Sequence, residues 1–278
     1  MRIGSNPNKQ EKVSGILENV VFHVVTHLPN QEGYHEKRLE VVKTCLTSMI
    51  ENAGVKHSLI ISDSGSVPEL TEWIEKEIKP TILIKPRNFG KGMHKKFVTR
   101  MLPPNTVLCY SDDDIFFYPN WFAPQYELLK LFPNVASVTG YPVRTSFRWG
   151  NVNTKKWALE NAELKAGRFI PEKYEKDFCT SIGREWITHE HGTKKDMDWM
   201  ISYKGRKAYA TSHHCQHIGY SGVIDKALPD FDDNAMGSET GFDIELDKLG
   251  LRLATTKRLT RHIGNILDDE LRKEIKEI

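Results

Sequence analysis

The chain has 278 residues and a mass of 32.0 kDa; 39% of them are hydrophobic, 27% charged and 10% aromatic. That is globular composition, and it excludes intrinsic disorder, collagen and coiled coil. Lys and Arg number 39 against 37 Asp and Glu, a formal net charge of +2. A general nucleic-acid binder would carry a basic footprint, so no stable nucleic-acid partner is expected and local clusters must do any electrostatic work.

Four cysteines, Cys45, Cys109, Cys179 and Cys215, stand singly without paired spacing. This fits reduced thiols in a cytosolic protein better than a disulfide scaffold or a cysteine-rich zinc site. The first fifteen residues are polar and lack the apolar stretch of a signal peptide. The longest apolar runs fall far short of the roughly 20 residues of a membrane span. The expectation is a soluble, cytoplasmic protein with no transmembrane segment.

In chain order, residues 19–26 (NVVFHVVT) predict a first strand, followed by a helix over about 36–52. Residues 57–62 predict a second strand and 68–79 a helix opened by proline. A third strand covers 81–85, with a helix over about 92–102. A fourth covers 106–110, with a helix over about 119–131, and 135–139 forms a fifth. Strands alternating with helices predict right-handed βαβ units and a mostly parallel sheet covered on both faces. Ligands of such sheets lie beyond the carboxyl ends of the strands. Thr26 closes the first strand there, Asp63 follows the second, Arg87-Asn88-Phe89-Gly90 the third and Asp112-Asp113-Asp114 the fourth.

The alternation stops near residue 144. Residues 145–195 predict mixed helix and loop, and the segments after them are separated by Gly and Pro. The expected organisation is an N-terminal arm (1–18) and a main domain (19–221), with a C-terminal extension or lid (222–278). The domain divides into a regular half (19–144) and a less regular half (145–221).

Three adjacent carboxylates at a strand end repel one another unless a cation neutralises them. Oxygen ligands at alternate positions suit Mg²⁺ or Mn²⁺, which complete their shells with water and substrate phosphates. In isolation an acidic run reads as a solvated turn; the apolar strand before Asp112 and the aromatic run Phe116-Phe117-Tyr118 after it favour a cation. Arg87, Lys91 and Lys95 recur every four residues on one helical face. Arg87 and Lys91 lie near the helix start, where dipole and free N–H groups favour a diphosphate; Lys95 is expected to be solvated.

A short strand, Asp-x-Asp, then four residues and Pro119 resembles the DxD motif of nucleotide-sugar glycosyltransferases of the GT-A fold, family 2. Other segments follow in that family's order. Residues 60–66 (IISDSGS) resemble its "VVDDGS" stretch, residues 87–92 its "RNxGxxxA" stretch, and residues 135–140 the strand behind the DxD. Asp196-Met197-Asp198-Trp199 followed by Gln216-His217-Ile218-Gly219 resembles the family's acidic base motif and late metal-binding histidine. Together the matches span roughly residues 19–221, which the resemblance makes the catalytic domain, with a nucleotide-sugar-binding half (19–144) and an acceptor half (145–221).

The resemblance implies a GT-A-type α/β fold and a transferase moving a sugar from a UDP- or GDP-sugar to a glycan or other hydroxyl acceptor. It implies Asp63 at the nucleotide base, and Thr26, Arg87, Asn88, Lys91, Asp112 and Asp113 around the donor. Asp112, Asp114 and His217 would hold Mn²⁺ or Mg²⁺. The base would be Asp198 or Asp196. In a strand both share a face, whereas in a helix over 196–204 they diverge and only one can face the sugar. Asp198 is preferred, because it begins the apolar helical face. Gly183, Trp186 and Trp199 are acceptor-side candidates. His262 is expected to be a packing residue of the tail.

An inverting displacement is expected; a retaining one remains the alternative. A sugar-phosphate nucleotidyltransferase would open with a glycine-rich loop after the first strand, where this chain has Thr26-His27-Leu28-Pro29-Asn30. A non-catalytic nucleotide- or carbohydrate-binding module is the non-enzyme alternative.

Overall fold

A computed structural model describes residues 17–232 and 234–277; the expected arm at 1–18 lies almost wholly outside them. Twelve strands and ten α-helices follow one another among those residues. The first half is β1 (Val20–Thr26), α1 (Arg38–Glu51), β2 (Ser58–Asp63), α2 (Pro68–Trp73), β3 (Ile82–Ile84), α3 (Lys91–Met101), β4 (Val107–Asp112), β5 (Ile115–Phe117), α4 (Phe122–Leu131) and β6 (Val135–Thr139). The second is α5 (Val152–Asn161), β7 (Glu163–Gly167), α6 (Glu172–Ser181), α7 (Trp186–Thr193), β8 (Asp198–Tyr203), β9 (Arg206–Tyr209), β10 (Gln216–Tyr220), α8 (Ser221–Ala227), α9 (Glu239–Leu249), β11 (Leu251–Thr255), β12 (Thr260–His262) and α10 (Asp269–Glu277).

Ten strands form one sheet in the order β3-β2-β1-β4-β10-β6-β11-β9-β8-β7. The block β3-β2-β1-β4 is parallel throughout, and β11 runs parallel to β6. Antiparallel β10 is wedged between β4 and β6, and β9, β8 and β7 continue antiparallel beyond β11. The parallel block reads as apolar runs because helices cover both of its faces: every residue of β2 is buried. Helix α1 closes one face with Val41, Val42, Cys45, Leu46 and Met49, whose spacing makes one apolar stripe.

Two expectations about the second half are corrected. Residues 198–203 are strand β8, not helix; Asp-Trp-Met-Ile-Ser-Tyr is rich in aromatic and β-branched residues that suit a pleated surface. The tail after residue 221 is no separate lid, since β11 lies inside the sheet between β6 and β9. No helix among the described residues is long and apolar enough to cross a membrane.

Register places the chemistry. In the parallel block Thr26 pairs with Asp63, and Val25 with Asp112, so all three strands end at one level. Just past Asp114 the chain enters β5, which pairs antiparallel with β12 and sets Ile115 opposite His262. The Ile263 amide donates to the Asp114 carbonyl at 2.7 Å. This two-stranded ladder ties the end of the tail to the carboxylate run.

Candidate active site

A cleft of about 290 Å³ opens at the carboxyl ends of β1, β2 and β4. Asp112, Asp113, Asp114, Asn88 and Lys91 line it, as the sequence suggested, together with Arg38, His27 and Ser64. Asn88 accepts the Gly90 amide at 3.1 Å, fixing the turn into α3. Gly90 needs its positive φ of 91°, and an added Cβ would press on the Asn234 carbonyl at 3.0 Å. The Lys91 amide donates to the Ala235 carbonyl at 3.0 Å, which docks the loop before α9 against the start of α3.

Two cations neutralise the carboxylates. Arg38 pairs with Asp113, and its other nitrogen is 3.5 Å from Asp114 and 3.1 Å from Asn265. The Lys91 ammonium lies 3.0 Å from Asp112 and 2.5 Å from Glu239, the first residue of α9. Burial opposes the Lys91 charge, but Asp112 and Glu239 hold its pKa well above the usual lysine range. Burial likewise opposes the Glu239 charge, yet His214 and Lys91 hold that carboxyl below its usual range. The Tyr110 hydroxyl donates to Asp112 at 2.7 Å.

His262 faces Asp114, with Nε2 3.5 Å from Oδ2, and its Nδ1 lies 2.8 Å from the Ser181 hydroxyl at the end of α6. Asp114 Oδ1 is buried without a partner. Carboxylate oxygens with one imidazole form a donor set that suits Mn²⁺ or Mg²⁺. An unsatisfied buried carboxylate oxygen is what such an ion would relieve.

The remaining predicted residues are elsewhere. Asp63 does not line the cleft: it is buried, accepting the hydroxyls of Thr26 (3.2 Å) and Thr71 (2.9 Å) and the Ser66 amide (3.2 Å). Thr26 and Asp63 together fix the turn that presents Ser64. Arg87 is exposed outside the cleft. Lys95, expected to be solvated, is buried with its ammonium 3.7 Å above the Tyr110 ring; burial and neighbouring Lys91 push its pKa down to about 8.

His217 lies within β10 with both ring nitrogens buried and unpartnered, 5.6 Å from the Tyr110 ring and 5.4 Å from Phe242. Burial pushes its pKa down to about 3, so it is neutral. Asp198 is fully buried in an ion pair with Arg144 at 2.9 Å, and its Oδ2 also accepts the amides of Phe169 and Ile170 at 2.6 and 2.8 Å. No acceptor can reach it. Asp196 pairs with Arg148 near the surface at 2.7 Å.

Trp199 is partly buried against the core with the Lys155 ammonium 4.9 Å over its ring, and it does not line the cleft. Gly183 closes the turn after α6 with a positive φ of 64°, and Trp186 is half-buried at the start of α7. Both follow Ser181, the partner of His262.

Arg38 and Glu239 escaped the sequence reading, and His262, expected to be a packing residue of the tail, instead faces Asp114. A signal for two of them was present: Glu239 opens an amphipathic stretch closed by Gly250, followed by an apolar run and His262-Ile263-Gly264.

The glycosyl transferase family 2 model matches residues 34–189, which is more than half of the chain. No curated protein matches the sequence. Among solved structures, the chain is similar to GalNAc-T7 with UDP, GalNAc and Mn²⁺ at 12% identity and a TM-score of 0.51, over 88% of this chain and 44% of that one. It also matches the mannosyltransferase PcManGT from Pyrobaculum calidifontis in complex with GDP-Man and Mn²⁺ (18% identity, TM-score 0.37, 50% of this chain and 40% of that one). A third match is S. aureus TarS 1-349 (8% identity, TM-score 0.48, 87% and 60%). The chain thus spans between two fifths and three fifths of these structures' own length. The first likeness shows a shared fold, the GT-A-type α/β architecture that the resemblance implied. With the family model covering most of the parallel block and the carboxylate run, the chain belongs to glycosyl transferase family 2.

Proposed function

We propose that the chain transfers a sugar from a nucleoside-diphosphate sugar, a UDP- or GDP-sugar, to an acceptor hydroxyl by direct displacement with inversion. The observation that carries this reading is a cluster at the cleft wall in which Lys91 bridges Asp112 and Glu239, with Asp114 facing His262 beside it. A Mn²⁺ or Mg²⁺ ion held by Asp112, Asp114 and His262 would supply Lewis-acid stabilisation of the departing diphosphate.

The chain's own groups do the rest. Arg38 and Lys91 hold the carboxylates neutralised before the donor arrives, and both are cations suited to diphosphate oxygens. Asn88 and Ser64 offer polar contacts along the cleft wall. Once the diphosphate draws Lys91 away, Glu239 loses one of the two groups, Lys91 and His214, that hold down its basicity. Its carboxylate then takes the proton of the attacking hydroxyl. This role replaces the one first read at Asp198 or Asp196. The acceptor is a glycan or other hydroxyl compound approaching past Ser181, Gly183 and Trp186. The four cysteines are free, which supports a reducing, cytoplasmic setting.

Calorimetric titration of UDP and GDP, with Mn²⁺ and then with EDTA, tests the donor site. One nucleotide is expected to bind only with the cation, at least tenfold more tightly than in EDTA. Equal affinity in both conditions would remove the ion from the site.

A further inference from the structure

We propose that His213, His214 and Cys215 form a second metal site, selective for a zinc-type ion, and that an ion bound there silences Glu239. The three side chains offer ligand atoms that all lie within 4.8 Å of one another, in the turn that leads into β10. Two imidazoles and a thiolate select zinc over the hard cations that suit Asp114 and His262. The folded turn brings His214 and Cys215 beside His213.

The surroundings complete a zinc shell. His214 Nε2 is 3.0 Å from Glu239 Oε2. In a tetrahedral site with bonds of roughly 2.0–2.1 Å, an imidazole nitrogen and a carboxylate oxygen stand about 3.3 Å apart. A zinc ion can therefore replace the shared proton with a movement of a few tenths of an ångström. His214 Nδ1 is held 3.0 Å from Asp243 Oδ2, and Asp243 is held by buried Arg252 at 2.6 Å. A ligating histidine ordinarily anchors its second nitrogen on a carboxylate in this way. Glu239 and Asp243 are one helical turn apart on α9, so a single element supplies both the fourth ligand and the anchor. His213 is buried, with its ring centroid 4.4 Å from that of His214. The side chains of His214 and Glu239 are 20% and 30% exposed, giving an ion a way in.

Binding releases the Cys215 thiol proton and the proton shared by His214 and Glu239. Thiolate and carboxylate then balance the two positive charges of the ion. Glu239, once a ligand, no longer accepts a proton from the acceptor. That consequence rests on the reading of Glu239 given above, whereas the binding of the ion does not.

Cobalt is the probe, because a cobalt–thiolate bond absorbs in the near ultraviolet. The full chain, with excess Mg²⁺ present to occupy the oxygen-rich site, is titrated with Co²⁺. One equivalent should bring up the thiolate band, and Zn²⁺ should remove it. Cys215→Ser should abolish the band at an unchanged melting temperature, and Asp243→Asn should weaken binding about 10–100-fold. Asp114→Asn should leave the band intact. Absence of the band in the wild-type chain, or its persistence in Cys215→Ser, overturns the site. Zinc that binds by this criterion but leaves sugar transfer unchanged overturns the silencing and leaves the donor-site reading standing. Loss of transfer on zinc binding, escaped by Cys215→Ser, supports both parts.

Discussion

Two stretches of the chain carry an acid, then a glycine, then His-Ile-Gly: Asp198, Gly205 and His217, and again Glu239, Gly250 and His262. They fold into opposite settings. In the first, the acid is on strand β8 inside the core, locked by Arg144, and the histidine is on central strand β10 with no polar partner. In the second, the acid opens helix α9 against Lys91, and the histidine ends β12 against Asp114. A motif written as residue types does not distinguish them. What distinguishes them is the element that carries the acid and the ladder that carries the histidine. A helix start aimed at the carboxyl edge of a parallel block reaches a ligand, whereas a strand within the antiparallel extension does not.

The largest expected effect breaks or confirms that contrast directly. Glu239→Gln should bind donor normally yet lose transfer by roughly 10²–10⁴-fold, the usual range for a general base. Asp198→Asn should do the reverse: transfer per folded molecule stays near wild type, while stability falls by about 1–3 kcal/mol because buried Arg144 loses its nearest carboxylate and keeps only Glu175, 3.8 Å away. Single-turnover transfer and urea unfolding of both variants decide between the two stretches. A dead, stable Asp198→Asn would return the base to β8.

A smaller effect sharpens the view of the first stretch. Burial pushes the pKa of His217 down to about 3, and burial does the same to His23. Between pH 6.5 and 3 the unfolded chain therefore binds protons that the folded chain refuses, so stability falls as pH drops through that window. The slope is about 1.4 kcal/mol per pH unit for each histidine. Urea unfolding between pH 6.5 and 5 should lose one histidine's share of that slope in His217→Phe. An unaltered slope would mean that His217 is charged in the folded chain.

The parallel block was legible because each of its signals is local. The apolar runs of β1, β2 and β4, the proline opening α2 and the carboxylates after β4 need no tertiary information, and the bounds of those three strands agree with the structure to within about two residues. Asp112, Asp114, Asn88 and Lys91 were found in the cleft for the same reason. Asp63 ties the turn at the strand end, while the next residue, Ser64, lines the cleft. Arg38 carries no local sign, because an arginine at a helix start reads as a surface residue until folding brings β4 beside it. The second half was obscured by topology. β10 runs antiparallel into the middle of the sheet and β11 returns parallel beyond β6, so chain order no longer indicates neighbours. Asp198 followed by an apolar run looks like a helix start, and only pairing with β7 and β9 makes it a strand.

The most direct test of the central claim is a calorimetric titration of the nucleotide, with Mn²⁺, into His262→Ala and His217→Ala. The account predicts that His262→Ala loses cation-dependent nucleotide binding by at least tenfold at a nearly unchanged melting temperature, and that His217→Ala keeps it. Loss of binding in His217→Ala with retention in His262→Ala would contradict the account and move the cation to β10.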